Sequence, residues 1–227
     1  MKQVILGLLL LFSATVVNAQ EDWANIGKYA AENRELAGQP NDGRRVVFLG
    51  NSITEFWKSN HPDFFRDNHY ICRGISGQTT YQYLVRFRED VINLKPKVVV
   101  INGGSNDIAE NNYVYSEDNT YGNILTMVEL ARAHKIKVIM TSVLPSSKFG
   151  WRPDIADVQG KISRLNTRLE AYAKRNKIVY VDYYSALVSG PEKSLNPQYT
   201  EDGAHPTGRG YDVMEALIQK AIRKYVK

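Results

Sequence analysis

Short apolar runs, each about five residues long and rich in β-branched or aromatic types, recur five times along the chain, with stretches of helical periodicity between them. They are Val46 to Gly50, Tyr70 to Arg73, Val98 to Asn102, Lys137 to Ser142 and Ile178 to Asp182. The run Val98-Val99-Val100-Ile101 is apolar at every position rather than at alternate ones, as a parallel strand covered on both faces must be. Strands of that kind separated by helices predict α/β layering. Helical spacing is read over Ala24 to Leu36, Tyr81 to Leu94, Asn119 to His134, Ala156 to Asn176 and Gly208 to Val226. Pro96, Pro145 and Pro206 punctuate element boundaries, and the one long irregular segment, Pro145 to Pro153, follows the fourth strand.

The front of the chain is of another kind. Lys2 precedes an apolar stretch from Val4 to Val17, and Val17-Asn18-Ala19 has small residues where a signal peptidase inspects them. Residues 1–19 are expected to be a signal peptide cleaved after Ala19, because the stretch falls short of the roughly 18 to 20 residues that span a bilayer. The mature chain, residues 20–227, is then a single soluble domain exported to the periplasm or the medium. Cys72 is the only cysteine, which excludes an internal disulfide, and its apolar surroundings predict inert burial. The formal charge of +5 is spread along the chain, giving no basic patch for nucleic acid or a charged membrane surface.

The first run ends Leu49-Gly50-Asn51-Ser52, which sets the Ser52 hydroxyl at the carboxyl edge of the sheet, where open α/β folds bind ligands. Near the far end, Asp202-Gly203-Ala204-His205 supplies an imidazole to take a serine proton and a carboxylate to orient the imidazole. Two more turns fall at the same edge: Arg73-Gly74-Ile75-Ser76-Gly77-Gln78 after the second run and Asn102-Gly103-Gly104-Ser105-Asn106-Asp107 after the third. Glycines let backbone N–H groups approach a ligand, and an Asn amide can donate to a developing oxyanion. Each element alone has a plainer account, as a helix cap for Ser52 or Asn106 and as surface polarity for Asp202 and His205.

Together, in this order, the segments resemble the SGNH (GDSL-like) hydrolase family from Val46 to about Tyr211. The resemblance implies a flavodoxin-like three-layer α/β/α sandwich with a five-stranded parallel sheet, and neither a metal nor an organic cofactor. It implies Ser52 as nucleophile with Asp202 and His205 completing the triad, and an oxyanion hole made by the Ser52 N–H, the Gly77 N–H and the Asn106 side chain. Gly50-Asn51-Ser52 departs from the family's Gly-Asp-Ser by losing one charge beside the nucleophile. The sharper Gly-x-Ser-x-Gly elbow is not matched.

Export and the family together point to hydrolysis of short O-acyl esters, acetyl first, on a carbohydrate partner. Trp57, Trp151 and Arg152 are expected to touch substrate; Phe56, Tyr81 and Phe149 could line the same edge. A lysophospholipase or thioesterase with an apolar channel is the competing enzyme, and a glycan-binding module on an inactive scaffold the competing non-enzyme.

Overall fold

All five apolar runs become strands of one parallel sheet: β1 (Val46–Gly50), β2 (Tyr70–Gly74), β3 (Val98–Ile101), β4 (Lys137–Thr141) and β5 (Val179–Val181). The structure is a computed structural model that describes residues 22–226. The expected signal peptide, residues 1–19, lies outside the described residues.

The strand order is β2-β1-β3-β4-β5. The chain steps outward from β1 to β2, then crosses back to the other side of β1 for β3. That reversal opens a crevice at the carboxyl ends of β1 and β3, the position at which doubly wound sheets bind ligands.

Alternation along the strands divides the interior into two layers. Val47, Leu49, Val99 and Ile101 face one way, toward the helices α4 (Thr80–Asp90), α6 (Glu117–Ala133) and α7 (Val158–Arg175). Val46, Phe48, Val98 and Val100 face the other way, toward α2 (Ser52–Asn60), α3 (Pro62–Asp67) and α9 (Gly208–Ile222). The apolar face of α7 is Val158, Ile162, Leu165 and Leu169, all buried at helical intervals. Each such side chain contributes roughly 1.5–3 kcal/mol by leaving water.

The helix read over Ala24 to Leu36 is in fact two elements, a 3₁₀ turn over Ile26–Tyr29 and then α1 (Ala30–Gly38). Likewise α4 stops at Asp90 and gives way to a 3₁₀ turn over Ile92–Leu94, which ends with Lys95 in the left-handed region at φ 50°. Short helices α5 (Ser105–Ile108) and α8 (Tyr183–Leu187), the two-residue strands β6 (Val188–Ser189) and β7 (Ser194–Leu195), and a 3₁₀ turn over Pro197–Tyr199 complete the described elements. Among the described residues no helix is long and apolar enough to cross a membrane. Cys72 is buried as expected, and burial pushes its thiol pKa up.

Candidate active site

The turn that carries Ser52 is tight because nothing larger than glycine fits around it. A Cβ on Gly74 would lie 2.3 Å from the Glu55 backbone nitrogen, so this glycine lets the end of β2 press against the first turn of α2. Asn51 caps that helix, its Oδ1 accepting the Ile53 N–H at 3.0 Å. The cap is therefore Asn51, and Ser52 is the first helical residue. Asn51 Nδ2 also donates to Ser105 Oγ at 2.9 Å, a bond an ionised Asp has no proton to make. The missing charge is exchanged for a tie between the β1 and β3 turns.

The far segment folds over this turn. His205 Nε2 lies 2.9 Å from Ser52 Oγ, and His205 Nδ1 lies 2.6 Å from Asp202 Oδ2. Asp202 Oδ1 accepts the backbone N–H groups of Ala204 at 2.9 Å and His205 at 2.8 Å, so one carboxylate both shapes the turn and aims the ring. Partial burial acts to raise the Asp202 pKa, but the His205 N–H, the His205 ring and the Ala204 N–H outweigh it and hold the carboxyl at about 2. An anionic Asp202 accepts a hydrogen bond from the His205 Nδ1–H, which leaves Nε2 free to accept from Ser52.

The other two turns close in beside them. Asn106 is buried and spends one amide proton on the Gln78 carbonyl at 2.9 Å, leaving the second for a ligand. Gly77 adopts φ +77°, a region glycine enters without strain, and its carbonyl accepts from Asn111 Nδ2 at 3.1 Å. Below them Asp107 is buried among neutral donors, the Thr80 N–H and hydroxyl and the Tyr113 hydroxyl, and burial raises its pKa. It fastens the β3 turn to the start of α4.

Ser52, Asn106 and His205 line a cleft with about 10 Å³ of free volume, walled by Leu144, Phe149 and Trp151. Phe56 and Trp151, both partly exposed, lean on the His205 ring with centroids 5.3 Å and 5.7 Å away. Trp151 is steadied by its indole N–H, which donates to Asn111 Oδ1 at 3.0 Å. A far larger cleft, about 980 Å³, opens at the opposite end of the sheet beside Arg45 and Tyr70. It holds none of the residues just described, so size does not mark the reactive centre here.

Two expected substrate contacts are corrected. Trp57 is 2% exposed and packs among Phe48, Phe64 and Tyr211, with its Nε1–H donated to Glu215, so it belongs to the core. It follows Ile53 by four residues and faces the sheet with it, whereas Phe56 follows Ser52 by four, is exposed and meets the His205 ring. Arg152 is committed to Asp154 and to the carbonyls of Ala109 and Glu110, which leaves it pinning the Pro145 to Pro153 loop rather than awaiting an anion. Tyr81 is set edge-on against Tyr113. The sequence alone assigns no contact to Asn111, Gln78 or Glu55, polar residues that hold the turn from Gly74 to Gln78 through partners remote in sequence.

A possible metal-ligand set, His61, Asp212 and Glu215, brings its ligand atoms within 4.8 Å of one another. His61 Nδ1 and Trp57 Nε1 already share Glu215 Oε1, at 2.7 and 2.9 Å, so hydrogen bonding accounts for the cluster.

Comparison with known proteins agrees with this geometry. A GDSL-like lipase from Bacteroides thetaiotaomicron is 62% identical, with TM-score 0.87 over 88% of this chain and 98% of its own. A candidate acylhydrolase from Bacteroides fragilis is 61% identical, with TM-score 0.90 over 92% of this chain and 100% of its own. An acetylxylan esterase from Geobacillus stearothermophilus, 17% identical with TM-score 0.63 over 83% of this chain and 98% of its own, shares the fold. The chain spans 40% of the N-acylneuraminate cytidylyltransferase of Escherichia coli, which it matches at 23% identity over 78% of its own length. The family profile described as GDSL-like Lipase/Acylhydrolase matches residues 48–213, from the middle of β1 to the first turns of α9, and with that span the chain belongs to this family.

Proposed function

We propose that this chain is an exported serine esterase that removes short O-acyl groups, acetyl first, from carbohydrate. His205 Nε2 takes the Ser52 proton as Oγ attacks the ester carbonyl, and Asp202 stabilises the imidazolium that forms. The Ser52 and Gly77 N–H groups and the free Asn106 amide proton bind the tetrahedral oxyanion. Collapse expels the alcohol, protonated by His205, and leaves an acyl-serine. Water deprotonated by His205 then attacks the acyl carbon, a second tetrahedral species forms in the same hole, and Ser52 leaves with the proton.

The carrying observation is the hydrogen-bonded line from Ser52 through His205 to Asp202, set in a cleft of about 10 Å³. A cleft this narrow beside Ser52 favours a small acyl group over the long chain of the lysophospholipase or thioesterase reading. The exposed faces of Trp151 and Phe56 offer stacking surfaces for a sugar ring beside the reactive centre. The acetylxylan esterase among the structural neighbours supports the same substrate class. Nitrophenyl esters of increasing chain length, run beside acetylated polysaccharides, test the proposal. Efficiency is expected to fall steeply from acetyl to octanoyl, with acetate released from a glycan. Equal hydrolysis of octanoyl or palmitoyl esters, with no acetate from any glycan, moves the assignment to the long-chain reading.

A further inference from the structure

The turn from Gly74 to Gln78 carries the Gly77 N–H and presents the Gln78 carbonyl to Asn106, so both proposed oxyanion donors outside Ser52 depend on its position. Residues 22–29 grip this turn and the helix start behind it. The Ala24 carbonyl accepts from Gln78 Nε2 at 2.7 Å, and the Trp23 carbonyl accepts from Gln82 Nε2 at 2.7 Å. Tyr29 donates its hydroxyl to the Gly74 carbonyl at 2.5 Å while its ring lies against the Arg73 guanidinium at 4.5 Å. Lys28 pairs with Glu55, whose other oxygen accepts the Ser76 N–H at 2.6 Å and the Ser76 hydroxyl at 2.7 Å.

The grip is not a by-product of core packing. Of residues 22–29 only Ala24 is buried, and the segment contributes no strand to the sheet. It is shaped by its own turn, with the Asn25 N–H on the Asp22 carbonyl at 2.7 Å and the Gly27 N–H on Asp22 Oδ2 at 2.8 Å. Its polar reach ends on Gly74, Gln78, Gln82 and, through Glu55, Ser76. None of these bonds involves Trp151, Phe56 or the Asp202–His205 pair.

We infer that residues 22–29 form a strap that positions the oxyanion turn, with Lys28 and Tyr29 as its positioning residues. The inference rests on the esterase reading for its kinetic consequence and on the geometry alone for its structural one. A loosened strap weakens donors that matter most once charge develops on the carbonyl oxygen, so it lowers turnover more than substrate affinity.

The test compares the full-length protein with Lys28→Met/Tyr29→Phe and with Lys28→Arg. On nitrophenyl acetate the double variant is expected to lose about tenfold or more in kcat with KM within about twofold. Its labelling by a fluorophosphonate is expected to reach the same final stoichiometry about tenfold more slowly, and a boronic acid that adds to serine to bind more weakly by a similar factor. Lys28→Arg keeps a cation on Glu55 and is expected to stay close to the parent. Hydrogen exchange gives the readout independent of activity: the amides of Ser76 to Gln78 should exchange about tenfold faster in the double variant, those of β1 and β3 unchanged. Unchanged kcat with unchanged exchange overturns the strap, as does activity lost only as a smaller labelled fraction with a normal rate per labelled site. A parent protein that hydrolyses no ester overturns the esterase reading instead, and the exchange comparison still decides the strap.

Discussion

Replacing Arg86 with methionine keeps an aliphatic stem of similar reach and removes a cation that holds four groups at once. Its guanidinium donates to Gln78 Oε1 at 2.7 Å, Asp90 Oδ2 at 2.7 Å, the Gly50 carbonyl at 3.0 Å and the Arg73 carbonyl at 2.9 Å. Arg86 is fully buried and Asp90 nearly so, which leaves no water to take over any of these bonds. Breaking one side of a buried pair costs about 3–5 kcal/mol, a large part of the roughly 5–15 kcal/mol that holds a domain folded. Removing Asp90 as well, in Arg86→Met/Asp90→Leu, abolishes the stranded charge and should cost less than the sum of the two single changes by about 1 kcal/mol or more. Urea unfolding followed by circular dichroism measures each term, provided the slope stays constant across the variants. Gly50 and Gln78 stand on either side of the proposed oxyanion hole, so the folded fraction of Arg86→Met is also expected to turn over more slowly. A single-variant cost below about 1 kcal/mol, or strict additivity in the double variant, would refute the claim that this pair braces the site.

The division between what the sequence made legible and what it hid follows from the range of the interactions. Parallel strands buried on both faces must be apolar at nearly every position, so Val46–Gly50 and Val98–Ile101 announce themselves within five residues. Ser52, Asp202 and His205 are legible for a similar reason, since the turn over residues 202–205 builds its own geometry through Asp202 Oδ1. By contrast the period of α2 is hard to read: the helix begins directly at the end of β1, and its β-branched and aromatic residues obscure the repeat over nine positions. That obscured period is what hides the burial of Trp57, because only a helix carries residues 53 and 57 to the core while 52 lines the cleft and 56 meets the His205 ring. Arg152 looked free because its partners at Ala109 and Glu110 are backbone carbonyls, which leave no trace in residue type. Asn111 and Tyr29 are single polar residues whose contacts span 34 and 45 positions, and no local pattern encodes such a contact.

Ser52→Ala is expected to lower turnover by about a thousandfold or more while circular dichroism reports an unchanged fold; retention of most activity would exclude Ser52 as nucleophile. Asn106→Ala should lower kcat about a hundredfold to a thousandfold with a much smaller change in KM, and a rise in KM alone would make it an ordinary substrate contact. The pH dependence of stability isolates Asp202. The Asp202 carboxyl, held at about 2, lies below the ordinary value of about 3.9, so its stabilising contribution is complete above about pH 4 and is lost as pH falls toward 2. Because its side chain is half exposed, solvent screens that contribution and its effect on the unfolding midpoint should be small. Asp202 therefore remains anionic throughout the range above about pH 4, so a loss of turnover at higher pH than that does not come from this carboxyl. Asp202→Asn should lower turnover across the whole profile, because the ring loses the acceptor that fixes its tautomer, and should flatten the decline in stability between pH 4 and 2. Initial rates and melting temperatures across pH 3 to 9 check both halves: turnover in Asp202→Asn equal to the parent's would remove Asp202 as the group that orients the ring, and an unchanged stability profile in the variant would remove the His205 turn as the cause of the depressed Asp202 carboxyl.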